Sequence, residues 1–305
     1  METIDRVDYA ALVRNVDDCE RFARDCLQEV IRNNPSPLLS AATANTKTRK
    51  SMRTEFRIVS LALAHEKTSG FQVCSHSTKN CRELCVADSG LAQIWASINQ
   101  SRARKTVFLF EYRQAFLRQL IGELEQNRRS AENVGAILVA RLNCFSDLPL
   151  HEPSFGCIPQ LFAHYGQELA GGFIAYDYTK CHSRVLNSET PPNWHLCASW
   201  SEDTKHQEYC HQILMMGRDI AVPFAIHGPY TGNRALMQSI PDKFRLLGTD
   251  FRTFCGDSSD LRFLDDGPDA REYGRVCALR FKASSNAKRN AGLESGFVVL
   301  QGGDV

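Results

Sequence analysis

Apolar side chains recur at helical spacing through residues 5–33, at Val7, Ala11, Leu12, Val16, Phe22, Cys26, Leu27, Val30 and Ile31, and NNPSP ends the pattern. Residues 1–40 are therefore expected to form an N-terminal helical region. The pattern then changes. RIVSLALAH (57–65) and FQVC (71–74) read as strand-like runs leading into SHSTKNCRELC, and residues 91–129 read as a mostly helical stretch with room for a helix pair. Beyond it, short apolar runs alternate with helix-capable spacers: GAILVARLNCFSD (135–147), GFIAYDYTK (172–180), WHLCASWSE (194–202), DIAVPFAIHG (219–228) and FRLLGTD (244–250). Runs of this length, buried on both faces, are what a parallel sheet wrapped by helices requires. The expected fold is α/β, a full or partial (β/α) barrel, with residues 41–305 as a single domain. GRVCALRFKA and GFVVLQ, near the end, are expected to form a terminal hairpin or edge.

Composition narrows the class without naming a function. The 305 residues are 43% hydrophobic and 23% charged with a formal net charge of +1, which is ordinary for a globular chain with a well-buried core. A balanced charge gives no global argument for nucleic acid, so such a contact has to come from a local basic patch. No window approaches the roughly 18–20 apolar residues that span a bilayer, and the acidic, amphipathic start is unlike a signal peptide. A cytoplasmic protein with no membrane contact is expected, and its twelve cysteines are expected to stay reduced. Most of them, such as Cys197 and Cys277, sit in apolar runs and read as small buried hydrophobes.

Cys74, Cys81 and Cys85 are different, because their surroundings are polar. Three thiolates spaced x6 and x3 between a predicted strand and a helix can converge on one metal centre. Three cysteines on a [4Fe-4S] cluster leave one iron open, whereas structural zinc, the alternative, takes four protein ligands, the fourth being His76 or a distant cysteine. A second constellation gathers at the C-terminal ends of the later runs: Arg141, Asn143, Ser146 and Asp147; Tyr176, Asp177, Tyr178, Thr179 and Lys180; Ser199, Ser201 and Glu202; and His227. In β/α barrels that end carries the ligand site. The loop LLSAATANTKTRK (38–50), with Asn45, Lys47, Arg49 and Lys50, suits an approaching anion such as a nucleotide or nucleic-acid phosphate. GDSSDLRFLDD (256–266) reads as a turn-rich, salt-bridged surface segment, and alternatively as a divalent-cation site on Asp257, Asp260 and Asp265.

NTKTRK, the cysteine cluster, RLNCFSD, AYDYTK, WHLCASWSE, GDSSDLRFLDD and RFKA with GFVV, in order from about residue 45 to 300, together resemble the gene product 88 family of phages and mobile elements, a domain of uncertain function. The plan is also similar to that of the radical S-adenosylmethionine enzymes, in which a three-cysteine loop after the first barrel strand binds a [4Fe-4S] cluster and later strand ends bind the cofactor. That resemblance implies Cys74, Cys81 and Cys85 as cluster ligands. It implies Asn45, Lys47, Arg141, Asn143, Ser146, Thr179 and Ser199 as cofactor-binding residues, and Asp147, Tyr178 and Lys180 as catalytic ones. The usual spacing there is x3 and x2, so this loop has to be longer and differently folded. Two rivals stand beside it: a replication-associated nucleic-acid-binding protein with a structural zinc or iron–sulfur site, and a metal-dependent nuclease. The sequence names neither a substrate nor an oligomeric state.

Overall fold

The computed structural model describes residues 16–42, 53–88, 95–152, 155, 158–166, 170–186, 190–225, 240–265, 272–281, 283 and 285–300. In chain order the elements are α1 (Val16–Asn33), β1 (Leu39–Ala41), β2 (Phe56–Leu61), the short helices α2 (Glu66–Ser69) and α3 (Lys79–Glu83), and the helix pair α4 (Ala96–Glu111) and α5 (Arg113–Glu132). There follow β3 (Ile137–Arg141), α6 (Ile158–Tyr165), β4 (Phe173–Thr179), α7 (His182–Leu186), β5 (Trp194–Ser199), α8 (Thr204–Met215) and β6 (Ile220–Ala225). The chain closes with β7 (Lys243–Leu246), β8 (Thr249–Cys255), β9 (Val276–Arg280), α9 (Asn286–Glu294) and β10 (Val299–Leu300).

The alternation of runs and spacers is realised as a mixed α/β fold around one ten-stranded, mostly parallel sheet. Its order is β1-β2-β3-β4-β5-β6-β9-β8-β7, with β10 parallel to β6. β2 to β6 lie side by side in chain order and all parallel, so their C-terminal ends share one rim. Alternation along each strand sends Leu138 and Ala140 towards the helices and Val139 and Arg141 to the opposite, inner face. On the helix side, α1, α5 and α6 cover β2 to β4 with Cys26, Leu120, Leu124 and Phe162, all buried. α1 and α5 approach closely at Gly122, where a Cβ would stand 2.5 Å from the carbonyl oxygen of Cys26. α8 covers β5 and β6 through Cys210, Ile213 and Leu214.

Four expectations change. FRLLGTD is a hairpin rather than a strand of the parallel series: β7 and β8 pair antiparallel, and Leu247 and Gly248, at φ 47° and 84°, make the two-residue turn. GRVCALRFKA and GFVVLQ do not pair with each other; β9 enters the sheet between β6 and β8, and β10 adds to β6, all parallel. FQVC forms no strand, because β2 ends at Leu61 and α2 intervenes. The Asp-rich segment is not a surface turn. Leu261, Asp260 and Arg262 are buried against the inner face of the sheet, where Leu261 packs with Ile58, Val139, Ile174 and Tyr176.

Asp260 holds that segment in place. Its Oδ2 accepts from Arg141 Nη1 at 2.5 Å and from Tyr176 Oη at 3.0 Å. Asp260→Ala leaves the Arg141 guanidinium buried without its counter-charge, and the expected loss in urea unfolding is about 3–5 kcal/mol. The joint replacement Arg141→Met with Asp260→Leu is expected to cost less than Asp260→Ala alone, because it removes both charges together. A double variant less stable than the single one would contradict this account.

Candidate functional site

The cysteine loop is stitched to the rim at both ends. At its start, the carbonyl of Val73 accepts from Asp147 N at 2.8 Å, and Cys74 Sγ lies 3.8 Å from the carbonyl oxygen of Phe145, so the loop follows the segment after β3. A turn then reverses the chain: Ser77 N and Oγ both donate to the carbonyl of Cys74, at 3.0 and 2.7 Å. Thr78 caps α3, its Oγ1 accepting from Cys81 N at 3.2 Å, the bond an N-cap makes to the third helical residue. Cys85 follows the end of α3, whose C-cap is Leu84. From the far side of the rim, after β5, Glu202 accepts from Thr78 Oγ1 at 2.8 Å and from Asn80 Nδ2 and N at 3.0 and 3.3 Å.

Charge converges on the thiols. Burial pushes the Cys74 thiol well above its usual pKa, and the charges of Asp147, Cys81 and Cys85 add to that rise while Lys180 opposes it. Burial raises Cys81 too, against the pull of Lys180 and Arg82 and with the push of Glu202 and Asp147. The three cysteines, Asp147, Lys180 and Glu202 therefore form one electrostatic neighbourhood. Lys180 extends its ammonium to Ser199 Oγ at 3.2 Å and to the carbonyl of Trp200, and its own amide donates to Asp147 Oδ2 at 2.8 Å. Asp147 is also paired with Arg184 at 3.0 Å. An apolar wall of Ala225, Phe297 and Val298 backs Cys81. Among the described residues, no group of three or more His, Cys, Asp or Glu side chains already stands in position to hold a metal ion.

The other sequence-selected residues divide. Asn143 donates from its backbone and its side chain to Asp177, at 2.8 and 3.1 Å, and accepts from Ser146 Oγ at 2.7 Å, so these residues shape the corner after β3. Burial lifts the Asp177 carboxyl to about 7 against those same hydrogen bonds. Thr179 Oγ1 accepts from Cys181 N at 2.9 Å and fixes the turn out of β4. Arg141 and Tyr178 lie on the inner face, the Arg141 guanidinium bound to Asp260 and 5.3 Å from the Tyr178 ring. Asp257 and Asp265 do not join Asp260: Asp257 accepts from Arg280 N at 2.7 Å, and Asp265 pairs with Arg262 at 3.1 Å. Asn45, Lys47 and His227 lie outside the described residues.

Sequence reasoning passed over two features. Thr78, three residues before Cys81 at the start of a helix, carries an N-cap signal legible in STKNC. The group behind Lys180, in which the rings of His182 and His206 stand 4.8 Å apart and His182 Nε2 is 3.5 Å from Cys210 Sγ, is joined only by the packing of α7 on α8 and has no local signature. Burial first, then the charges of His206, Lys180 and His76, lowers the His182 pKa to about 3. Its folded value lies below the unfolded one, so the unfolded chain takes up the proton first and stability falls as pH drops below about 6.5. In urea titrations, the fall from pH 6.5 to 4.5 is expected to be about 2 kcal/mol smaller in His182→Phe, which keeps an aromatic ring beside Tyr209. Equal falls in the two proteins would deny His182 this role.

No helix among the described residues is long and apolar enough to cross a membrane. No curated protein and no solved structure matches the chain. The family model described as gene product 88 matches residues 37–294, from β1 to the end of α9, a span that includes the cysteine loop, the strand-end polar residues and the Asp260 segment. The chain belongs to the gene product 88 family.

Proposed function

We propose that this protein is an iron–sulfur enzyme of radical S-adenosylmethionine type, in which Cys74, Cys81 and Cys85 hold a [4Fe-4S] cluster and the substrate is a nucleotide or nucleic-acid component. The observation that carries the proposal is a loop with three cysteines, anchored to the segment that follows β3 through Cys74 and Val73 and to the β5 corner through Thr78 and Asn80, in which the charges of Cys81 and Cys85 reach Cys74. The donor types suit the group, and bringing all three thiols onto one centre takes a rearrangement of the loop. Soft thiolates suit iron–sulfur clusters, and three of them leave one iron for a further ligand. Burial keeps the Cys74 and Cys81 thiols protonated, a state that a bound cation reverses.

When bound, such a cluster supplies an electron that cleaves S-adenosylmethionine to a radical able to abstract hydrogen. The chain's own part is binding, orientation and exclusion of water. Lys180 is the cation that both Cys74 and Cys81 feel, and its ammonium beside Ser199 offers a carboxylate or phosphate a charged partner. Asp147, fixed by the Lys180 amide and by Arg184, keeps a carboxylate at the same rim. Ala225, Phe297 and Val298 keep water from one side of Cys81. The nucleotide or nucleic-acid substrate is supported by the basic NTKTRK sequence.

Anaerobic reconstitution tests the proposal. About four iron and four sulfide per chain are expected in the unaltered protein, far less in Cys81→Ala, and 5′-deoxyadenosine is expected to form from S-adenosylmethionine under reducing conditions. About one zinc per chain in place of iron would instead make the cysteines a structural site. A cluster that leaves S-adenosylmethionine intact would remove the radical chemistry and keep the metal.

A further inference from the structure

We propose that Glu202 is the positioning residue of the cysteine loop, holding α3 from across the rim so that Cys81 stays beside Cys74. The inference rests on the reading of the three cysteines as ligands of one centre. Glu202 takes three hydrogen bonds from Thr78 and Asn80, residues more than 120 positions away in the chain, and makes them with both carboxylate oxygens. Its neighbour Asp203 already caps α8, accepting from His206 N at 3.2 Å. Two adjacent acids thus serve two helices, and Glu202 is not required by its own.

A carboxylate at this place has an electrostatic cost. It stands near Cys81 and opposes the thiolate form that a metal needs. What offsets the cost is order: Asn80 N, a donor with no acceptor inside α3, and the Thr78 hydroxyl both find theirs in Glu202. A neutral isostere reproduces the contact only in part: a glutamine can keep its oxygen towards Asn80, but its amide nitrogen then faces the Thr78 hydroxyl, which has to turn from donor to acceptor, and the charge that strengthens all three bonds is gone. With the clamp released, the turn from Cys74 to Ser77 and the Thr78 cap remain, but nothing ties them to the β5 corner.

The test uses the metal-free full chain first. Alkylation rates of individual cysteines, read by peptide mass spectrometry, are compared in the unaltered protein, Glu202→Gln and Asp203→Asn. Glu202→Gln is expected to raise the labelling rate of Cys81 about tenfold, in keeping with the loss of charge-assisted hydrogen bonds. The buried Cys144 and Cys210 are expected to stay protected, and Asp203→Asn is expected to leave Cys81 unchanged. After reconstitution, Glu202→Gln is expected to lose iron to a chelator about tenfold faster than the unaltered protein. A Cys81 rate within about twofold of the unaltered protein overturns the inference. Should Cys144 and Cys210 label as well, Glu202→Gln has unfolded, and Asn80→Ala, which removes a donor from the loop side, decides by the same Cys81 rate. If the unaltered protein takes up no metal at all, the cluster reading fails while the labelling result still judges the clamp.

Discussion

A guanidinium buried as deeply as that of Arg141 cannot stand alone, and Asp260 is its counter-charge: their side chains are 7% and 4% exposed. Desolvating either charge without the other costs several kcal/mol, so the pair forces residues 256–265 onto the inner face of the sheet. Once there, the segment fills the space that Ile58, Val139, Ile174 and Tyr176 leave, with Leu261 at its centre and Phe263 against the Phe56 ring at 5.4 Å. Arg262, turned the other way, engages Cys277 and the carbonyls of Gly256 and Ser259. The chain thus supplies its own filling for the inner face around these residues.

That filling separates two polar systems that look alike in the sequence. Arg141, Tyr176 and Tyr178 gather at the buried pair: Arg141 and Tyr176 bond to Asp260, and the Arg141 guanidinium lies 5.3 Å from the Tyr178 ring. Asp147, Lys180, Ser199 and Glu202 belong to the rim, where they share a neighbourhood with the cysteines. Tyr176 and Tyr178 alternate with Asp177 and Thr179 along β4, and period-two geometry sends the two pairs to opposite faces. Strand-end position alone cannot tell these faces apart.

Much of the fold was legible because strands buried on both faces must be mostly apolar, and β2 to β6 are, with their polar residues set mainly towards the C-terminal ends. The helix pair α4 and α5 was legible from its length. FRLLGTD misled because its apolar run continues through the turn: Leu247 sits at positive φ and points to solvent, a place where glycine or asparagine is the usual signal. GDSSDLRFL misled for another reason. Aspartate and serine mark turns, and nothing local reveals that Asp260 has a buried arginine waiting 119 residues earlier. The fold of the cysteine loop was not legible, since its anchors at Phe145, Asp147 and Glu202 are all long-range.

The loop's irregular spacing has a structural cause. The six residues between Cys74 and Cys81 are consumed by a turn closed on the Cys74 carbonyl, then by the Thr78 cap, then by the first residues of α3. Of the three between Cys81 and Cys85, Arg82 and Glu83 finish α3 and Leu84 is its C-cap, so Cys85 stands just past the helix end. A shorter loop would have to give up either the reversal or the cap. Without the reversal α3 runs away from Cys74; without the cap its first donors lose the hydroxyl that satisfies them. The spacing is therefore set by backbone closure, and the segments after β3 and β5 each hold one end of that closed loop.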